Sequence, residues 1–159
     1  MLQRFQSLLL LVSALGMFVF LGTNSWKKTN GDGSTVVVNP YHVFETNASS
    51  SLVTSDYPVY YVAILAVLSA GLSIFTIFQY KNRIRQMLFV ALNSLLMGAA
   101  VGLSVYHIQY KANLLGDTGI EGDFGIGFWA AFVSLFSNWV ANRMIRRDEK
   151  LVKSADRMR

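Results

Sequence analysis

Two histidines and a few loop carboxylates are the side chains in this sequence best suited to acid–base or metal chemistry. His42 and His107 are the only histidines among 159 residues, and cysteine is absent. A multi-histidine metal or haem centre and a Cys-ligated site are therefore excluded within one chain. Asp117, Glu121 and Asp123 are neighbours, but the loop lacks the alternating oxygen ligands and terminal glutamate of an EF-hand. We predict no metal and no cofactor.

No catalytic constellation can be assembled from the other polar residues. The sequence contains no P-loop, no dinucleotide-binding glycine fingerprint, no HExxH pattern and no Ser-His-Asp set. We therefore predict no enzymatic activity. One enzymatic hypothesis stays open, in which His42, His107 and the loop carboxylates act together at a membrane surface. It requires these groups to meet within hydrogen-bonding distance.

The elements that carry these side chains are long, apolar and uncharged. Charged residues form 14% of the chain, against about 25% in soluble proteins, and hydrophobic residues form 53%. A helix that crosses a membrane needs about 20 mostly apolar residues. Four segments reach or approach that length, and they predict membrane spans over about 2–21, 59–78, 87–106 and 124–140.

The first predicted span has two interpretations. Arg4 followed by an apolar stretch also fits a secretory signal peptide. The residues from Gly22 to Trp26 lack a convincing small-x-small cleavage site, so we expect an uncleaved membrane anchor.

The positions of lysine and arginine predict the orientation of the chain. Eleven of the fourteen basic residues lie near the amino terminus, in the loop between the second and third spans, or after the fourth span. Because cytoplasmic segments retain positive charge, we expect both termini in the cytoplasm, the loop 22–58 outside, and the tail 142–159 inside. The net charge of +5 then reflects topology and anionic lipid, and no nucleic-acid partner is predicted.

The first outer loop combines a polar, flexible start with residues that favour strands. β-Branched and aromatic residues at 35–38 and 41–46 flank Asn39-Pro40 and predict a short two-stranded ribbon. Two strands alone are marginally stable in water, so the ribbon should lie on the outer helix ends or on a partner.

Polar and small residues inside the spans predict close helix packing. No ionisable side chain lies near the middle of a span, which disfavours transport of protons or ions. Gly98 and Gly102 form a GxxxG pattern, which fits packing within the chain and dimerisation equally. The predicted helix-packing residues are Ala66, Ala70, Asn93, Gly98, Gly102 and Asn138.

The tail 142–159 contains no proline or glycine, so the fourth helix should continue into it. Its apolar residues recur at helical spacing, which predicts an amphipathic helix. Two roles stay open, a docking helix for a partner or the anionic leaflet, and a positively charged topology anchor. The predicted partner or lipid contacts are Arg146, Arg147, Leu151, Lys153 and Met158.

Three motifs resemble those of a known family. The start Met1-Leu2-Gln3-Arg4-Phe5-Gln6 is similar to the Met-x-Gln-Arg-x-Gln start of a bacterial family of small four-span inner-membrane proteins, classed as a domain of unknown function. Tyr80-Lys81-Asn82-Arg83 resembles its central cytoplasmic loop, and the run from Ile145 to Arg159 resembles its basic carboxyl terminus. The resemblance implies four helices and no particular activity. The layout also resembles that of claudin-like proteins, without their loop cysteines.

We therefore expect an all-α membrane protein with one integral membrane domain over 1–159. It should form a four-helix transmembrane bundle with a short outer β ribbon and an amphipathic cytoplasmic C-terminal helix. The preferred function is a non-catalytic accessory or scaffolding subunit of a larger complex in the bacterial inner membrane, in contact with the lipid bilayer and with a membrane-protein partner or a second copy.

The alternative function is a small-molecule or lipid-binding transporter that acts as a homo-oligomer. Its pore would be lined by Asn93, Ser94 and Asn138. The two functions differ in one structural expectation. A transporter needs a hydrated cavity near the middle of the membrane, whereas a scaffold predicts a dry, closed helix interior.

Overall fold

The computed structural model describes residues 2–48, 52–80, 82–115 and 119–157, without the side chains of 2–4 and 152–157. Asp117 and Met158 lie outside the described residues, as does the side chain of Lys153. The described chain is mostly helical, with one small antiparallel sheet at one end. Its helices are α1 (Leu2–Gly22), α2 (Tyr60–Phe78), α3 (Arg83–His107), α4 (Asn113–Leu115) and α5 (Ile126–Arg157), and a π-helical turn (Ile108–Ala112) joins α3 to α4.

Three helical segments among the described residues are long and apolar enough to cross a membrane, Phe5–Gly22, Tyr60–Phe78 and Arg83–Leu115. They agree with the first three predicted spans. The fourth predicted span corresponds to the first half of α5. At 32 residues α5 is long enough to cross a membrane, but it is less apolar than the other three segments. Its asparagines, serines and tryptophans, followed by its basic second half, lower its hydropathy, so a fourth span is not established by composition and length.

The four long helices contact one another in a ring, in which α1 and α3 each pack against both α2 and α5. Small side chains dominate the inward face of α2, which lets its backbone approach its neighbours closely. The tail prediction is confirmed in one respect, because α5 continues without a break from its apolar half to Arg157. The buried residues of the ring include Leu10, Met17, Phe20, Ala66, Ala70, Met97, Ala131 and Ile145.

The prediction of a two-stranded ribbon was wrong in size, because the sheet has five strands in the order β4-β3-β2-β1-β5. The two predicted strands are present as its centre, with Val38 paired to Val43. Every neighbouring pair is antiparallel. The strands are β1 (Trp26–Thr29), β2 (Thr35–Val38), β3 (His42–Thr46), β4 (Val53–Pro58) and β5 (Asp123–Phe124).

The polar segment after β1 is a tight turn and not a flexible linker. Gly33 adopts a φ of 81°, a region that favours glycine. The backbone N–H of Ser34 donates to the Asp32 carboxylate over 2.9 Å, and this bond holds the pKa of that carboxyl below its usual value. Asn30 Nδ2 donates to the Ser34 hydroxyl over 2.8 Å. The turn therefore fixes the β1–β2 hairpin.

The sheet lies on the ends of α2 and α5, as the marginal stability of an isolated ribbon predicted. The N–H of Ala63 donates to the Pro40 carbonyl over 3.1 Å, which ties the β2–β3 turn to the start of α2. The N–H of Gly125 donates to the Ser25 carbonyl over 2.9 Å. A Cβ at Gly125 would lie 2.3 Å from the Asn24 carbonyl oxygen, so this approach requires glycine.

Candidate functional site

Asn93 of α3 is the centre of a hydrogen-bonded network that joins α2, α3 and α5. Its Oδ1 accepts from the Ser69 hydroxyl over 2.9 Å. Its Nδ2 donates to the Ser73 hydroxyl over 2.7 Å and to Asn138 Oδ1 over 3.1 Å. All four of these side chains are fully buried. Sequence position alone had identified the two amides as packing residues, and the structure places them in direct contact.

Asn138 of α5 completes the network. Its Nδ2 donates to the Ser94 hydroxyl over 2.8 Å and to the Val90 carbonyl over 3.0 Å. The two amide groups together have four N–H donors, and all four are used within the protein. Because both amides are fully buried and their donors are occupied, neither Asn93 nor Asn138 offers a free donor to a passing substrate.

The other predicted packing residues divide into two groups. Ala66 and Ala70 are buried in the core of the ring. Gly98 and Gly102 lie on the exposed outer face of α3, where a Cβ at either position would meet nothing within 4 Å. The structure therefore does not use the GxxxG pattern for packing within the chain.

Two helices approach closely at a glycine that the sequence patterns did not single out. A Cβ built at Gly16 of α1 would lie 2.1 Å from Ser134 Oγ and 2.9 Å from the Ala130 carbonyl oxygen of α5. No side chain fits in that space. Ser13 and Gly16, two small residues three apart, were the available signal.

A second polar cluster lies at the end of the ring opposite the sheet. Gln6 and Gln86 are each 4% exposed, although they carry polar amides. Gln6 Nε2 donates to Asp148 Oδ2 over 2.9 Å, and Gln86 Nε2 donates to a backbone carbonyl at the end of α2 over 3.4 Å. Tyr80 and Arg83 line the same indentation, which has room for about one water molecule.

This cluster unites distant parts of the chain, since Gln6 comes from the amino-terminal motif, Tyr80 and Arg83 from the central loop, and Asp148 from the basic run. Residues 2–158 match a family described as Domain of unknown function (DUF4293). The chain belongs to this family. The three motifs that resembled the family in the sequence therefore meet at one site in the fold. No curated protein matches the chain.

The basic part of α5 in this family member presents a charged face next to the cluster. Arg143, Arg146, Arg147 and Lys150 are all exposed, and together they line one shallow groove. Leu151 is also exposed, at 57%, which leaves an apolar side chain beside these cations. The predicted contact residues Arg146, Arg147 and Leu151 are thus available at the surface.

The two histidines lie in separate environments. His42 Nδ1 contacts Asp56 Oδ1 at 2.7 Å, and its ring packs edge-on against Tyr60. His107 is 2% exposed, and its Nε2 is hydrogen-bonded to the hydroxyl of Tyr61. Within the described residues no hydrogen bond joins the two histidines, and no group of three or more His, Asp or Glu could hold a metal ion.

Of the loop carboxylates, Asp123 does not join His42 either. Asp123 lies in β5 and His42 in β3, with β2 and β1 between them. Three strand spacings separate those strands, about 14 Å in total. The convergence that the enzymatic hypothesis requires is therefore not formed between His42 and Asp123.

A cleft beside β1 was not anticipated from the sequence. It has a volume of about 610 Å³ and lies between β1, the π-helical turn and residues 119–124. Trp26 and Lys28 form its wall, and both are buried. Gly122 packs on Trp26, where a Cβ would lie 2.2 Å from the indole ring. The sheet and the second loop are therefore closely fitted here.

Proposed function

We propose that this chain is a non-catalytic, four-span protein of the bacterial inner membrane that serves as an accessory or scaffolding subunit of a larger membrane complex. One observation carries the proposal. Asn93 and Asn138, the residues that a pore would need, are fully buried and donate all their N–H groups to the protein itself. A closed polar interior favours a structural role over passage of a solute.

The fourth span is the part of the proposal that depends on packing. Ile126 to Asn142 contains no charged residue, and its 17 residues have a helical length of about 26 Å, close to the hydrocarbon thickness of about 30 Å. α5 packs between α1 and α3, which have membrane-spanning character. Its outward face carries large exposed aromatic residues that a bilayer would cover, namely Trp129, Phe132, Phe136 and Trp139.

The proposed orientation follows from the positive charge at one end of the helix ring. The exposed arginines of α3 and α5 lie at the end opposite the sheet, near the Gln6–Asp148 contact. Positive charge is retained on the cytoplasmic side, so this end faces the cytoplasm and the sheet faces outward. The chain then has both termini in the cytoplasm.

Three surfaces are available for a partner or a second copy. They are the outer edge of β4, where Val53 and Tyr57 are exposed, the open stripe of Gly98 and Gly102, and the basic face of α5 with Leu151. An exposed strand edge and a small-residue stripe are both common protein contact surfaces. The α5 surface is the one on which the scaffolding role can be tested most directly, because its apolar residue projects from a charged helix.

The test is co-purification of the tagged full chain after extraction in mild detergent. We expect a companion protein at constant stoichiometry, and we expect Leu151→Glu to reduce its recovery while membrane insertion is unchanged. Leu114→Glu is the matched control, because Leu114 is 85% exposed and lies at the other end of the molecule. A clean monomer with no companion across several detergents would contradict the scaffolding role.

A further inference from the structure

A groove on the outer surface between α3 and α5 combines an apolar wall with two cations. Its volume is about 560 Å³. Among the described residues, no acidic side chain lines it. The lining residues are Ala91 and Ser94 of α3 and Trp139, Asn142, Arg143 and Arg146 of α5.

The two arginines are held in place by neighbours that leave their charge available. The Arg143 guanidinium lies over the Trp139 ring, 5.8 Å from its centroid. Arg146 Nε donates to Asn142 Oδ1 over 3.1 Å, which fixes the side chain while its terminal N–H groups remain unused in the described structure. Planar guanidinium groups of this kind suit bidentate binding of phosphate.

The inner wall of the groove is closed. The Ser94 hydroxyl accepts from Asn138 Nδ2 and donates to the Val90 carbonyl, so its hydrogen bonds are already satisfied. A bound molecule would therefore lie along the wall and would not enter the helix interior. The wall offers apolar contact, and the charged end offers anion binding.

The groove also lies where α5 changes from apolar to basic. Phe136 and Trp139 are exposed on one side of this boundary, and Arg143 and Arg146 follow within two turns. Tryptophan favours the level of the lipid headgroups, and arginine beyond it reaches the phosphate layer. The next groove along the helix adds Arg147 and Lys150 to the same cationic surface.

We propose that this groove binds one anionic phospholipid, whose phosphate contacts Arg143 and Arg146 and whose acyl chain lies along Ala91 and Trp139. The charge of the lining and the absence of an acidic lining residue favour an anionic headgroup over a neutral one. The inference goes beyond the scaffolding role, and it depends on the proposed function only in requiring that α5 crosses the bilayer.

The test is native mass spectrometry of the delipidated full chain with phosphatidylglycerol and with phosphatidylcholine of the same acyl chains. We expect one phosphatidylglycerol to bind, more tightly than phosphatidylcholine. Arg143→Gln and Arg146→Gln should each weaken it about fivefold, and the double variant about 25-fold, since each basic residue contributes separately. Arg85→Gln, which removes an exposed arginine of α3 outside the groove, should change the affinity by less than about twofold.

Three results would overturn the lipid site. The first is equal affinity for the two lipids. The second is a loss of lipid affinity in Arg85→Gln equal to that in the groove variants. The third is displacement of the lipid by excess inorganic phosphate, which would indicate a site for free anions. The variant Phe136→Cys tests separately whether α5 crosses the membrane. Protection of that thiol from a membrane-impermeant maleimide supports the α5 span whatever the lipid result, whereas labelling in intact membranes contradicts the span.

Discussion

Asn93 donates a hydrogen bond from Nδ2 to Oδ1 of Asn138 over 3.1 Å, between two fully buried side chains on different helices. Hydrogen bonds between helices in membranes contribute only about 0.6 kcal/mol on average. A buried amide without its partner costs more, about 1–3 kcal/mol, because its desolvation is no longer compensated. The penalty for losing one partner therefore exceeds the benefit of the bond itself.

Replacing either amide should destabilise the protein for this reason. We expect Asn93→Leu and Asn138→Leu each to lower the free energy of unfolding by about 1–3 kcal/mol in detergent. The double variant should be less destabilised than the sum of the two, since no orphaned amide then remains. Asn113→Leu, on an exposed part of α4, is the control. Strict additivity would show that the two amides act independently.

Gly16 should tolerate substitution much less well than Gly98. The Gly16→Ala variant places a methyl group within 2.1 Å of Ser134 Oγ, so we expect a loss of about 1–3 kcal/mol in stability. Gly98→Ala meets open space and should be neutral or stabilising by up to about 1 kcal/mol, because alanine favours helices. Thermal unfolding in detergent compares the two. Equal effects would mean that α1 and α5 are not closely packed at Gly16.

The absence of native cysteine allows a direct test of whether the helix interior is closed. We expect Asn138→Cys to react slowly with a small water-soluble thiosulfonate, because the position is fully buried. Asn142→Cys, one turn further along α5 in the surface groove, should react rapidly. Comparable rates at the two positions would indicate a hydrated passage and would favour the transporter alternative.

Single cysteines also test the proposed orientation. Val53→Cys lies on the exposed strand β4, and Arg147→Cys lies on the exposed basic face of α5. In intact cells, whose outer membrane has been made permeable, an impermeant maleimide should label the first and not the second. After cell lysis both should be labelled. The reverse pattern would invert the orientation derived from the basic residues.

The sequence allowed the helices to be predicted better than the sheet. The segment 59–78 was predicted as a span, and α2 occupies Tyr60–Phe78, because an uncharged run of that length has few alternatives. The start of the outer loop was predicted to be polar and flexible, but it contains β1, in which alternation buries Trp26 and Lys28. β5 has only two residues and pairs across a long separation, so no local pattern indicates it.

The sequence indicated which kinds of residue form the site, but not which of them contact one another. Buried amides in apolar helices predict interhelical hydrogen bonds, and Asn93 and Asn138 form them. In a helix that is apolar on all sides, periodicity does not show which face points inward, so the GxxxG pattern favoured Gly98 and Gly102 and passed over Gly16. The cluster of Gln6 with Asp148 depends on contact between the first and last helices, which sequence spacing does not encode.

The pairing of Trp26 in β1 with Phe124 in β5 imposes an order on biosynthesis. The hairpins of β1 to β4 need only residues made before α2, whereas the last strand is translated after α3. Until then the backbone N–H and C=O groups along one edge of β1 remain unpaired, and such an exposed edge can pair with a strand of another chain. A nascent chain stalled before residue 123 would therefore be prone to pair with other strands along that edge, and synthesis and pairing of β5 would end this exposure.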